Sequence, residues 1–373
     1  ISPPYGAVPL YVGRGEADPD QREALSYQEF LTPDDFFVEH VNRDAGNLQR
    51  QAFYKLRYHQ DTKKTPVNFF GNQLKSVLLS AKLAAPLTEV NPVEILDQRR
   101  KIVRTGEGGI GNLQSVTDEM RNIHPTHFGF IDPIRAPESD KIGLDMRLAT
   151  GVSRGSDGKL YQEVVGIDGV KKRLSTDDFY DQPVAFPGEF ARLDLSTKRP
   201  SKKVRAMVGG KMRYVPRSEV QYELPDPGSM FTEGTNLVPI IGAGKGQRTL
   251  MGARMQSQAL ALRNPDAPLV QTAYPGRPGE TFHSVHGKDM GAIRSQAPGT
   301  VVKVTTNSIT VRQADGTKKE HDLYDYMPYN QKSVITSTPT VKKGDVVEPG
   351  QLLATSNFTD AQGNIALGRN ARV

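Results

Sequence analysis

The stretch from Arg121 to Leu148, RNIHPTHFGFIDPIRAPESDKIGLDMRL, decides how this chain is read. His124 and His127 have a spacing that metal ligands use. Pro125 lies between them and no third ligand is evident, so both are read as structural histidines. The informative residues are twelve in fixed order: His124, Pro125, Thr126, His127, Gly129, Pro133, Ile134, Pro137, Glu138, Ile142, Gly143 and Leu144.

Upstream, Asn91 to Gly111 reads NPVEILDQRRKIVRTGEGGIG. Asn91-Pro92 starts a short helix running to about Arg100, with Pro92 suited to its first turn. Arg99 and Arg100 are a guanidinium pair able to fork a phosphate, and the glycines let backbone pass close to a nucleic acid. An arginine pair tied to carboxylates is the structural alternative. Thr105–Gly111 has glycines spaced like a dinucleotide fingerprint, without a preceding strand or a βαβ unit to support it. Downstream, Asn236 to Val270 reads NLVPIIGAGKGQRTLMGARMQSQALALRNPDAPLV, with a helix expected over 248–262. Its Gly242–Thr249 segment looks like a phosphate loop but lacks the Ser or Thr that must follow Lys245, so a loop before a helix suffices. His283 and His286 are read as structural, and no Ser-His-Asp set emerges.

The remaining chain alternates patterns. Residues 1–35 are Pro/Gly-rich and read as extended. Helical spacing occupies 36–60 and 67–84, the latter through Phe69, Leu74, Val77, Leu78, Ala81 and Leu83. Residues 151–222 read as strands, with turns at Ser156-Asp157-Gly158 and Gly209-Gly210. From Gly299 the chain is strongly β, with turns near Asn307, Asp315-Gly316, Lys343-Gly344-Asp345 and Pro349-Gly350.

Composition sets limits. The 373 residues suffice for two or three compact units. With 35 Gly and 26 Pro, long irregular connections are expected. The net charge of +6 permits a polyanionic partner, and cations cluster at 99–104, 171–173 and 198–205, although solvated charge is the default for such runs. The absence of cysteine excludes disulfides and thiolate metal sites. No apolar run approaches the ~20 residues of a membrane helix.

The Arg121–Leu148 stretch resembles the fork region of the β subunit of bacterial-type multisubunit RNA polymerase. Asn91–Gly111 is similar to that family's rifampicin-pocket segment. Asn236–Val270 resembles its active-centre helix, matching at Arg248, Leu250, Met251, Gly252, Ala253, Met255, Gln256 and Gln258. Tyr329-Asn330-Gln331, the Lys342–Leu352 region and Ala366–Val373 resemble later motifs, ending at the start of an ALGxN motif. The resemblance implies a multi-lobed α+β fold, with a helical N-terminal part and a β-rich C-terminal part supplying an incomplete barrel. It divides the chain into 1–85 (extended and helical), 86–150 (fork and rifampicin-like region), 151–230 (β-rich lobe), 231–298 (active-centre helix) and 299–373 (barrel-like strands). An open barrel is expected to leave sticky edges.

By the same resemblance, the chain is a β-like fragment of a DNA-directed RNA polymerase, a nucleotidyltransferase of transcription, and is inactive alone. Arg248 would face the incoming nucleotide's phosphates as the catalytic contact, and Arg99, Arg100, Glu138, Lys141 and Gln258 would contact RNA and template. The catalytic Mg²⁺ would be held by a β′-like partner, since no Asp triad of the NADFDGD type occurs here. Other partners would be a C-terminal β-like chain, DNA, RNA and nucleoside triphosphates, without a membrane. Departures fall at Thr88, Asp97, Asn112, Lys141, Asp145 and Arg254. With the chain's ends, they suggest a divergent split subunit of the kind large phages encode, located in the host bacterial cytoplasm or the virion. The alternative is a β-derived virion structural or binding protein without polymerase activity. A partner bearing the Asp triad favours the first reading, and symmetric copies in a shell favour the second.

Overall fold

The computed structural model describes residues 23–59, 70–80, 85–194 and 198–372. Of the extended reading of 1–35, residues 1–22 lie outside the described residues, as do the positions Phe69, Ala81, Leu83 and Val373, and over 23–35 the structure differs, with a 3₁₀ turn at Leu25–Tyr27 and a helix that begins at Pro33 because Thr32 and Asp35 cap it. The helical reading of 36–60 resolves into α1 (Pro33–Arg43) and α2 (Ala45–His59), broken at Asp44. Thr32 and Asp35 form a capping box at the start of α1, with Pro33 in the first turn. A short helix α3 (Gly71–Lys75) continues into a π turn at Ser76–Ser80. Helix α4 (Pro92–Arg99) follows, capped by Asn91, whose side chain accepts from the Glu94 amide.

Strand β1 (Lys101–Val103) pairs antiparallel with β2 (Asp145–Arg147), closing the fork segment and the short helix α5 (Asp118–Arg121) into one loop. A strand therefore does precede the Gly-rich loop, contrary to the sequence reading. Its partner is antiparallel and 3₁₀ turn Leu113–Ser115 follows, so no βαβ unit forms.

The middle of the chain forms a seven-stranded sheet. Its strands are β3 (Ser153–Arg154), β4 (Leu160–Gly166), β5 (Lys171–Ser175), β6 (Val184–Ala185), β7 (Lys203–Val208), β8 (Lys211–Pro216) and β9 (Tyr222–Glu223), with helix α6 (Thr176–Asp181) inserted after β5. The order is β3-β4-β9-β6-β7-β8, with β5 on β4, and only β6–β9 is parallel. Strict alternation in β4 buries Leu160 and Val164 with Gln162 between them. Gln162 is tolerated because its amide donates to the Gly129, Thr150 and Ser229 carbonyls. The β7–β8 turn is Gly209-Gly210, both at positive φ (54° and 68°), as a tight two-residue hairpin requires. Leu25, Phe130, Ile131, Phe179, Val184 and Leu224 fill the core beneath this sheet.

Helices α7 (Glu233–Asn236), α8 (Gly246–Ser257) and α9 (Phe282–Val285) pack with α4 around Val93, Leu237, Phe282, Met290, Phe358 and Ile365. Helix α8 ends at Ser257, short of the expected 262. Asn91 donates to the carbonyls of Gln256 and Ala259 at 2.9 and 2.8 Å, which terminates the helix against the start of α4.

The C-terminal strands are β10 (Ile293–Arg294), β11 (Gly299–Val304), β12 (Ser308–Gln313), β13 (Lys318–Asp322), β14 (Met327–Pro328), β15 (Val334–Ile335), β16 (Ser337–Pro339), β17 (Val346–Val347) and β18 (Leu352–Ser356). They form sheets β13-β12-β11-β17, β10-β18-β16 and β14-β15, packed about Val301, Ile309, Val311 and Leu353. Among the described residues these sheets are open and no barrel closes. Of the two edges of the β13-β12-β11-β17 sheet, β13 reads Lys-Lys-Glu-His-Asp and is charged, which discourages further pairing, whereas β17 exposes Val346. Apolar side chains are also exposed on α2, at Phe53, Tyr54 and Tyr58.

Helix α4 carries one buried charge that holds two arginines. Asp97, 3% exposed, accepts from Arg135 at 2.8 and 3.1 Å and from Arg147 at 2.9 Å. Asp97→Asn leaves two buried guanidiniums undercompensated and should cost about 3–5 kcal/mol. Urea unfolding checks this, and an unchanged midpoint would refute it.

Two histidines are buried as neutral rings. Burial, followed by the Arg104 guanidinium and His124, lowers the His127 pKa to about 3. Burial lowers His283 to about 4 against a small opposing effect of Asp360. The unfolded chain then binds protons, from the ordinary value of 6.5 downward, that the folded chain refuses. Stability should fall as pH drops below about 6.5, by up to about 1.4 kcal/mol per unit for each ring, levelling off near the folded values. The double variant His127→Gln/His283→Gln should show a flatter dependence over that window.

Candidate functional site around helix α8

The motif segments, far apart in sequence, converge on α4 and α8. Asn91 caps one helix and terminates the other. Asp132 of the fork segment is buried and bonds on both carboxylate oxygens. Oδ1 accepts from the Ile134 and Arg135 amides, and Oδ2 from the Thr232 amide and the Thr232 and Thr235 hydroxyls. One carboxylate thus folds the fork loop and starts α7. The Asn330 amide group donates to the Leu87 carbonyl at 2.7 Å, and its oxygen accepts from the Glu89 amide. At the other end, Asp266 pairs with Arg369 at 3.0 Å.

Gly143 shows how closely the fork is folded. It sits at φ +73°, where an added Cβ would lie 2.2 Å from the Arg121 carbonyl oxygen. A cleft of about 720 Å³ opens between the fork and α8, lined by Arg121, Ile123, Ile134, Ile142, Gln247 and Leu250 among others.

The sequence-singled residues separate by environment. Arg248 is exposed in the first turn of α8, with only a long 4.0 Å contact from Nη1 to the Met251 sulfur. Among the described residues no carboxylate pairs with it. Gln258 is exposed at the end of α8, and Lys141 is exposed on the fork. Glu138, also on the fork, accepts from Arg254 of α8 at 2.9 Å. Two positions that read as a match and a departure are thereby partners.

Arg99 and Arg100 do not form one phosphate fork. Successive helix residues point about 100° apart. Arg100 turns inward, its Nε 3.0 and 3.1 Å from the carboxylate oxygens of buried Glu233, with Nη1 on the Val152 carbonyl. Arg99 remains exposed. Sequence reasoning missed Asp132, Arg135, Arg147 and Glu233. For Asp132, Arg135 and Arg147 the usable signal was an acid or arginine placed among apolar neighbours, a signal that Glu233, between Thr232 and Gly234, lacks.

His124 and His127 have ring centroids 6.3 Å apart. His127 takes the Arg104 guanidinium at 3.5 Å and His124 engages the Thr126 hydroxyl at 2.8 Å. Among the described residues no group of three or more His, Cys, Asp or Glu is arranged to hold a metal ion. The two imidazole rings offer nitrogen donors, not the oxygen ligands that Mg²⁺ takes.

Residues 86–153 match the family model of RNA polymerase Rpb2, domain 3. That span contains α4, the Gly-rich loop and the fork, and defines a β-subunit-like segment. The chain is also similar to DNA-directed RNA polymerase subunit beta of Acetivibrio thermocellus, 30% identical over 316 residues that cover 80% of this chain and 24% of the relative. For the Rubrobacter xylanophilus subunit beta the identity is 30%, covering 89% and 30%. For that of Prochlorococcus marinus strain SARG it is 29%, covering 98% and 34%. The chain spans about a quarter to a third of the length of these curated relatives.

Asp97 stands where the resemblance places a histidine of the rifampicin pocket. Its carboxylate is buried and committed to Arg135 and Arg147. The resemblance therefore implies that a polymerase assembled with this chain is insensitive to micromolar rifampicin, and inhibition of RNA synthesis at that dose would refute the expectation.

Proposed function

We propose that this chain forms one wall of the catalytic cleft of a multisubunit DNA-dependent RNA polymerase. The observation that carries the reading is Arg248. It is an arginine in the motif context of the family's active-centre helix, left without a carboxylate partner on a helix anchored from both α4 and the fork. Every other arginine that anchors this region is spent on an acid or a carbonyl.

In this reading Arg248 presents a planar fork to the phosphates of the incoming nucleotide and stabilises charge that develops during phosphoryl transfer. Gln258 lies toward the RNA 3′ region. Arg99 and Lys141 supply exposed positive charge for the RNA and template backbones. Arg100 and Glu138 act as positioning residues, through Glu233 and Arg254. The Mg²⁺ that supplies Lewis-acid chemistry belongs to a β′-like partner. A split subunit of phage origin, and location in host cytoplasm or virion, extend the same proposal.

The test is reconstitution with β′-like and C-terminal β-like partners on a DNA scaffold with an RNA primer. Arg248→Ala should slow extension by about 10²–10³-fold, the scale for removing one transition-state donor. Arg248→Lys should recover only part of that loss, because the charge returns without the bidentate geometry. Equal rates for Arg248→Ala and the parent would remove Arg248 from the chemistry.

A further inference from the structure

Residues 198–217 contain eight lysines and arginines and no aspartate or glutamate, whereas the whole chain nets only +6. A run of this kind is normally solvated charge, but the fold gives it a shared platform. Strands β7 and β8 form a hairpin, and β8 is the outermost strand of the seven-stranded sheet. Register sets Arg205 directly opposite Tyr214. Lys203, two residues before Arg205, points to the same face. The Arg192 guanidinium lies 5.9 Å from the Tyr214 ring centroid.

Acid compensation is incomplete. Arg192 and Arg205 share one buried carboxylate, Glu189, at 3.1 and 2.8 Å, which leaves one positive charge over. The side chains of Lys198, Lys202 and Lys203 are exposed and make no ion pair or hydrogen bond with any described residue, whereas Arg213, opposite Ala206 in the register, lies on the other face of the hairpin. Tyr214 is 59% and Met212 61% exposed beside them.

We propose that this face of the β7–β8 hairpin binds the phosphate backbone of nucleic acid, at a site separate from the α8 cleft. A docking surface for protein would normally have an apolar centre depleted of charge. Here charge dominates, with a single exposed aromatic ring among the cations. That composition suits sequence-independent phosphate contact with an added stacking surface. The inference does not rest on the polymerase reading, since a chain that took no part in RNA synthesis would still carry this surface.

The experiment is fluorescence anisotropy of the full chain with a short mixed-sequence DNA duplex over a range of salt. About four uncompensated cations predict a log Kobs against log salt slope of roughly −3 to −4, at about −0.9 per phosphate neutralised. Lys198→Gln/Lys202→Gln/Lys203→Gln should weaken binding at least about tenfold and reduce the slope by about 3. Lys303→Gln/Lys342→Gln/Lys343→Gln removes the same charge from exposed positions elsewhere and should leave both quantities nearly unchanged. Equal weakening by the two variants would mean that net charge alone attracts the duplex, and would overturn the site. Absence of salt-dependent binding would overturn it as well. Displacement of the duplex by polyglutamate as effectively as by unlabelled duplex would reassign the surface to an acidic protein.

Discussion

The arrangement of the cleft depends on satisfying the polar groups of a single eight-residue helix. Helix α4 carries a buried Asn91 at its start, a buried Asp97 near its end and Arg100 at its C-cap. None of these can be left unpaired in an apolar interior without a cost of several kcal/mol. Each partner comes from a different stretch of chain: α8 for Asn91, the fork and β2 for Asp97, α7 for Arg100. Hydrophobic burial around Val93 and Phe282 brings these elements together but fixes no orientation, because it is non-directional. The hydrogen-bonded charges select the one arrangement in which all are satisfied.

This division of labour explains which residues are free to act. Carboxylates in the region are few, and the arginines they hold become structural. Asp97 holds two, Glu233 holds Arg100, and Glu138 holds Arg254. Arg248 and Arg99 are left over on the surface. A cation that the fold does not need for its own neutrality retains its charge for a ligand. The same logic applies on the β-rich lobe, where Glu189 accounts for only one of the two guanidiniums around it.

Local features of the fold were legible in the sequence because their causes are local. Asn91-Pro92 marks the start of α4, Gly209-Gly210 the β7–β8 turn, and Asp315-Gly316 the β12–β13 turn, each through backbone preferences of the residues themselves. Features set at a distance were not legible. The end of α8 is fixed by Asn91, 165 residues away from Gln256. Which of two consecutive arginines turns inward depends on Glu233, 133 residues from Arg100. Periodicity cannot see such partners, so it extends α8 to Leu262, and the sequence leaves open whether Arg99 and Arg100 fork a phosphate or are tied to carboxylates, as Arg100 is. The C-terminal strands were found individually, but whether they close depends on pairing at the sheet edges, which alternation along a single strand does not encode.

The departures from the family pattern acquire a physical reading once their neighbours are known. Replacing a neutral residue by a charged one inside a packed region is tolerated only where an opposite charge is within reach. Asp97 meets that condition twice, and Arg254 meets it through Glu138 at the rim, where exposure keeps the pair worth only about 0–1 kcal/mol. Lys141 has no described partner but needs none, because it faces solvent on the fork. Substitutions that would disorganise the cleft are thus neutralised within it, and those left uncompensated sit where water screens them. At the α4–α8 junction it is charge balance and hydrogen bonding, each buried polar group meeting its partner, that constrain which residues the fold accepts.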